Sequence, residues 1–325
     1  MTPMAYPESR ISLVYSTHRP ETLSEAPRLM ARYDAIILEE PETPGLYNML
    51  TGNLSIEDYL AGQDLEYPDF SRQSCRMLQR LHGKGKTILQ VEPFLDLLLH
   101  IHEFFADGGS PESLDRNAPQ YPVYQAEKNA TGSLIRFYRT AVSGSFEATV
   151  ESVKAFARDD AARFILRDRL RAEALAPVAA KYPSAYIEAG VMHVRLWNEL
   201  RHHLPETISI GRIQLMASVN RSIWGRGHTF GPGDLLTMLY IYHPGFSGPR
   251  ADLLSARSLI YNKILEKEEM TSAREPYPHI RNEVASIQRV SRLCFADCRK
   301  LYREIRLAGT REARAIVHRY STGAS

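Results

Sequence analysis

The sequence lacks any run of about 18 uninterrupted apolar residues, so no membrane-spanning helix is expected. Cysteine is scarce: Cys75, Cys294 and Cys298 form an odd set with no CxxC spacing. A disulfide framework or thiolate zinc site is therefore not expected. Cys294 and Cys298, four residues apart, read as small residues on one helix face. No charge excess exists either, with 40 Lys and Arg against 38 Asp and Glu and a net charge of +2. A nucleic-acid binder usually carries a basic stripe, and none is evident. GxSxG, HExxH, a GxGxxG after a strand and the kinase motifs are all missing, which removes the reactions they mark. The glycine-rich stretch 225–233 lacks the Lys-Ser/Thr of a phosphate loop and reads as a mobile loop, a lid. Residues 1–9 lack the basic start and apolar run of a secretory signal, so a cytoplasmic location is expected.

What is present suffices for a full core. The chain has 325 residues, 44% of them apolar, enough for one large α/β domain without a structural metal. Short β-rich runs at 11–15, 34–38, 87–91 and 185–189 each lead into a helical pattern, and 207–219 reads as a fifth strand region. Strands alternating with helices predict a parallel or mixed central sheet with helices on both faces. Residues 106–130, rich in Gly, Pro and Asn, read as a loop. A helical insertion is expected over 133–181 and a helical C-terminal region over 232–325. Within the latter, Ile287, Val290, Leu293, Leu301 and Ile305 form an apolar face suited to a core or to a homodimer.

Polar residues gather where the strands end. The first strand runs into His18, the second into Glu39 and Glu40, and the third into Glu92. The fourth contains Glu188 and runs into His193. Ligands of parallel sheets bind outside the carboxyl ends of the strands. Carboxylates and imidazoles converging there can hold a divalent cation such as Mn, Co, Zn or Fe, or perform acid–base chemistry. Taken singly, each residue is explained as a solvated strand exit. Glu188 is harder to dismiss, because a carboxylate within an apolar strand needs a partner. Glu39 and Glu40 point opposite ways if extended, so one of the two faces a site. Arg163, Arg167, Arg169 and Arg171 lie in one helical stretch with Asp159, Asp160 and Asp168, where a solvated, ion-paired face is expected.

The pattern resembles the TraB/Tiki superfamily, which includes ChaN-like and erythromycin-esterase-like proteins. That family carries two GxxH motifs at strand ends and an acidic residue ending the second strand. The second motif stands intact as Gly190-Val-Met-His193, and the first reads Tyr15-Ser-Thr-His18, with Tyr in place of Gly. Glu39 or Glu40 matches the acidic position, and the stretch 161–174 matches the family's Arg-containing helix. The resemblance covers mainly residues 11–41 and 161–204. It implies a metal-dependent hydrolase site in some relatives, a haem- or ligand-binding role in others and a regulatory role in others; the leading reading is a metal-dependent hydrolase acting on a small molecule or peptide, with His18, Glu39 or Glu40, and His193 as metal ligands. Glu92 or Glu188 would then be the base or an orienting group, and Arg167 would bind an anionic part of the substrate. The runner-up is a non-catalytic ligand-binding or regulatory protein on the same fold, and a helical scaffold is the third reading.

Overall fold

The computed structural model describes residues 10–322 except 62, 64 and 273. The signal-peptide reading of residues 1–9 thus falls outside the described residues. Five strands form one all-parallel sheet, ordered β3-β2-β4-β1-β5. They are β1 (Ile11–Ser16), β2 (Ala35–Leu38), β3 (Thr87–Gln90), β4 (Ala185–Gly190) and β5 (Ile210–Gln214). The expected α/β class with a parallel central sheet is what the chain adopts. β1 and β2 are buried along their whole length, as strands covered by helices on both faces must be.

Alternation assigns the strand side chains to two layers. Ile11, Leu13, Ile37 and Ile187 point to one face, against Ala172, Leu175, Ala176 and Ala179 of the helix Phe146–Ala179 and Leu196 and Leu200 of the helix Leu196–His203. The small alanines let the long helix approach closely. Each fully buried Ile or Leu adds about 1.5–3 kcal/mol. On the other face the Tyr33 hydroxyl donates to Ser12 Oγ at 2.7 Å, and the Tyr33 ring meets Tyr186 edge-on. Glu188 belongs to this second face, two residues beyond Tyr186.

The chain forms two compact units. The sheet unit takes residues up to 120, 167–228 and 268–278, and an all-helical unit takes 121–166, 229–267 and 279–325. The division falls within the helix Phe146–Ala179, between Leu166 and Arg167. The stretches expected to be helical, 133–181 and 232–325, supply most of the second unit. Its apolar stripe Ile287, Val290, Leu293, Leu301 and Ile305 is buried within the chain. One expectation fails: the loop drawn over 106–130 ends early, because Gln120–Ser143 is helix. Pro122 does not stop it, because it sits in the first turn, where a missing N–H costs nothing.

Candidate functional site

The carboxyl ends of β1 to β4 bring their polar residues together with one stretch of helix. β1 is followed by His18, whose φ is +49°, the one positive value outside glycine among the described residues. Such a backbone costs a side-chain-bearing residue energy and concentrates at functional sites. β2 is followed by Glu39 and Glu40, whose side chains diverge. Glu39 turns inward, while Glu40 Oε2 accepts from Gln90 Nε2 at 2.8 Å. Glu92 follows β3 at the position just before the helix Pro93–Ala106, with its side chain making no capping hydrogen bond. After β4 the backbone turns, with His193 N donating to Gly190 O at 3.0 Å, and this places the imidazole over Glu39. Arg167, Asp168 and Arg171 come from the helix Phe146–Ala179, the two arginines one turn apart on a shared face.

Glu39 is the hub. Its Oε1 lies 2.7 Å from His193 Nε2 and 3.3 Å from Arg167 Nη2. Its Oε2 accepts from Gly190 N at 2.5 Å and lies 3.4 Å from Arg171 Nη1. His193 Nδ1 sits 2.5 Å from Asp168 Oδ1, while Asp168 Oδ2 accepts from Arg195 N at 2.9 Å. Arg171 also donates to the carbonyls of Val91 and Glu188, at 3.0 and 2.7 Å. It thereby ties the ends of β3 and β4 together. Glu92 Oε2 lies 3.4 Å from Arg171 Nε and 3.5 Å from Arg167 Nη2. Arg171 and Glu92 are fully buried and His193 nearly so. Charges so placed persist only because each faces an opposite one.

The remaining pair sits at the rim. His18 Nε2 is 3.4 Å from Glu188 Oε1, with side chains 38% and 15% exposed. The other Glu188 oxygen lies 3.5 Å from Glu39 N, so the rim touches the buried network. The Phe70 ring stands 6.5 Å from the His18 ring.

Electrostatics separate the groups further. Burial favours a neutral Glu39, but His193 and Arg171 overcome it and hold the carboxyl well below its usual range. Burial also favours neutral His193, yet Glu39 and Asp168 push it up to about 9. At His18, removal from water pulls downward and is outweighed by Glu188, again giving about 9. Both imidazoles are therefore cations near neutral pH.

The structure thus gathers Glu39, Glu92, His193 and Arg167 into one network, sets His18 and Glu188 at its edge and leaves Glu40 facing away. Two expectations about the arginine stretch need correction. Asp168 and Arg171, read as parts of a solvated face, are buried at the centre of the site. Arg163, by contrast, does pair as expected, with Asp160 at 2.6 Å and also with Glu127 at 3.1 Å. Arg167 points its guanidinium at Glu39 and Glu92 and over the Phe94 ring, so it serves the protein's own acids. The signal for Arg171 was its spacing, four residues after Arg167 and three after Asp168, within a segment carrying Ala172, Leu175, Ala176 and Ala179 at core spacing.

The two GxxH-like motifs also differ in place. In the sheet Gly190 lies opposite Ser16, not Tyr15, so the motifs are one residue out of step. Tyr15 is an ordinary buried strand residue beside Ala189. A metal ligand must offer a lone pair not already committed. Both His193 ring nitrogens face carboxylates, and both Glu39 oxygens face cations, two of them guanidiniums that would repel an added metal. Among the described residues no three His, Cys, Asp or Glu side chains form a set able to hold an ion. As arranged, His18, Glu39, Glu40 and His193 do not fit a shared divalent cation.

No family model matches the chain, and no solved structure matches it. An uncharacterised protein of Archaeoglobus fulgidus is 28% identical over 295 residues, covering 89% of this chain and 97% of that protein. Coverage that broad takes in parts of both compact units. Among the described residues, no helix is long and apolar enough to cross a membrane.

Proposed function

We propose that this chain is a hydrolase of small ester or amide substrates that works by acid–base chemistry at the His18–Glu188 pair. One observation carries the reading: the pair joins an acid and a base at 3.4 Å and, unlike the buried ions behind it, reaches solvent. In this reading the Glu188 carboxylate takes a proton from water as the water oxygen bonds to the substrate carbonyl carbon. The His18 imidazolium stabilises the oxyanion, then protonates the leaving oxygen or nitrogen as its bond to carbon breaks. Transfer of the proton from Glu188 to His18 restores the starting state. The buried network holds the pair in register, since Arg171 grips the Glu188 carbonyl. No step is assigned to a metal.

A second reading, a non-catalytic small-molecule-binding protein, is favoured by the internal neutralisation of the network. The test is turnover of p-nitrophenyl esters and anilides by wild type, His18→Gln and Glu188→Gln, with and without chelator and added Mn or Zn. General acid–base groups supply about 10²–10⁴-fold. A loss of that size in both variants, indifferent to chelator, is expected. Turnover unchanged in the variants overturns the assignment to this pair. Turnover that appears only with added metal restores the metal-dependent reading. No turnover under any condition leaves the binding protein.

A further inference from the structure

A count of charges at the strand ends leaves one carboxylate over. Four cations (Arg167, Arg171, His18 and His193) face five acids, and four of those acids, Glu39, Glu92, Asp168 and Glu188, stand within 4 Å of a cation. The fifth, Glu40, accepts from the neutral amide of Gln90 and feels the His18 charge only from farther off. Among the described residues no Lys, Arg or His side chain pairs with it.

Glu40 stands on the wall of a cavity of about 420 Å³. The rest of that wall is largely apolar, supplied by Leu46, Met49, Leu60, Leu65, Phe70 and Leu78. The volume is that of a small-molecule site. Tyr59 also lines it, with its hydroxyl 3.2 Å from Gln90 Nε2, the same amide that holds Glu40. Phe70 lies between this cavity and the rim pair, since its ring also neighbours His18. A largely apolar chamber with two aromatic rings and, at its water-facing edge, a carboxylate with no cation within 4 Å suits a ligand that is a cation with an apolar body. Aromatic faces attract such a cation as well.

We propose that this cavity binds an apolar amine, with the ammonium on Glu40 and the apolar body among Leu46, Met49 and Phe70. The inference rests on the hydrolase reading for its consequence, that the substrate is an ester or amide carrying such an amine. Partial removal from water, with the Glu188 charge, pushes the Glu40 carboxyl up from its usual range against the opposing pull of the Gln90 hydrogen bond and the His18 charge.

The test is calorimetric or NMR-detected binding of 2-phenylethylamine, 2-phenylethanol and 3-phenylpropionate to the full chain. The amine should bind roughly fivefold to tenfold tighter than the alcohol, and the carboxylate weakest, as a partly solvated ion pair allows. Glu40→Gln, nearly isosteric and at an exposed position, should erase the preference. Ser74→Phe, which projects a ring from the cavity wall, should weaken amine and alcohol alike. Equal affinity for amine and alcohol in wild type, or a preference untouched by Glu40→Gln, overturns the proposal. Because no turnover is measured, amine binding without hydrolysis sinks only the hydrolase. Hydrolysis by the His18–Glu188 pair without amine preference sinks only the amine site.

Discussion

The buried network and the rim pair contain the same kinds of residue, His and Glu at neighbouring strand ends, yet the structure sets them to different tasks. His193 is clasped on both nitrogens and Glu39 on both oxygens, all within a few ångströms and away from water. His18 shares one contact with Glu188 and keeps more than a third of its side chain exposed. A charge whose every lone pair is committed can hold a fold but has nothing left to exchange with a substrate. Residue type and strand-end position therefore do not decide function here; the number of uncommitted contacts does.

That contrast breaks if the network proves dispensable. Arg171→Met should be the most damaging change, because it strips charge compensation from Glu39 and Glu92 and two carbonyl anchors at once. Removing one member of a buried ion pair costs about 3–5 kcal/mol. Urea denaturation should show a loss of at least that size, or failure to fold. A loss under about 1 kcal/mol would mean the network bears no such load.

Next in size is a pH effect. His193 rises from an unfolded value of 6.5 to about 9 in the fold. Its stabilisation is therefore complete below pH 6.5 and disappears as pH climbs through 9, on the order of 3 kcal/mol in all. Glu39 runs the other way: its contribution is present above 4.5 and is lost as pH falls through its depressed folded value. Denaturation midpoints across pH 5–10 should fall on the alkaline side; His193→Gln should remove most of that fall, and the half-exposed His18, also raised to about 9, should supply a smaller, solvent-screened remainder. Asp168→Asn keeps the shape but removes the charge behind His193. It should cost about 1–2 kcal/mol and shift the alkaline fall to lower pH. A midpoint curve identical to wild type would remove Asp168 from the network that charges His193.

At the rim, stability and activity should part. His18→Gly relieves the positive φ and removes one partly exposed pair, so stability should change by less than about 1 kcal/mol. Activity should fall by about 10²-fold or more. A parallel loss of both would place His18 with the structural ions. The smallest effect belongs to Gly190→Ala. An added Cβ would meet Glu39 Oε2 at 3.5 Å and His193 Cδ2 at 3.6 Å, ordinary contacts, and should cost less than about 1 kcal/mol by the same denaturation.

The strand-end pattern made much of this visible before the structure did. Apolar runs fixed the five strands, and the residues following them supplied His18, Glu39, Glu92, Glu188 and His193. The sheet order stayed hidden, because pairing β4 between β1 and β2 joins residues 174 and 150 apart in sequence and leaves no local trace. Asp168 and Arg171 stayed hidden for another reason. A helix bearing Arg163, Arg167, Asp168, Arg169 and Arg171 reads as solvated, and only the packing of Ala172, Leu175 and Ala176 on the sheet reveals which side turns inward. The motif Gly190-Val-Met-His193 was legible, but its glycine proves to be a strand residue whose amide serves Glu39, in a place where a methyl group would also fit.

The position of β4 has a consequence for how the protein comes into being. A ribosome delivers β1, β2 and β3 first, and β1 and β2 share no backbone hydrogen bond with each other, because each pairs with β4. Until residues 185–190 emerge, both strands present bare edges, the template on which chains pair wrongly. The same delay leaves Glu39 without His193, Asp168 and Arg171, all of which lie further along the chain. Strand insertion and charge neutralisation are thus one late event, closed over a long loop and slow for that reason. Pulse-labelled hydrogen exchange should find amides of β1, β2 and β4 gaining protection together, and a nascent chain halted before β4 should be a client for chaperones.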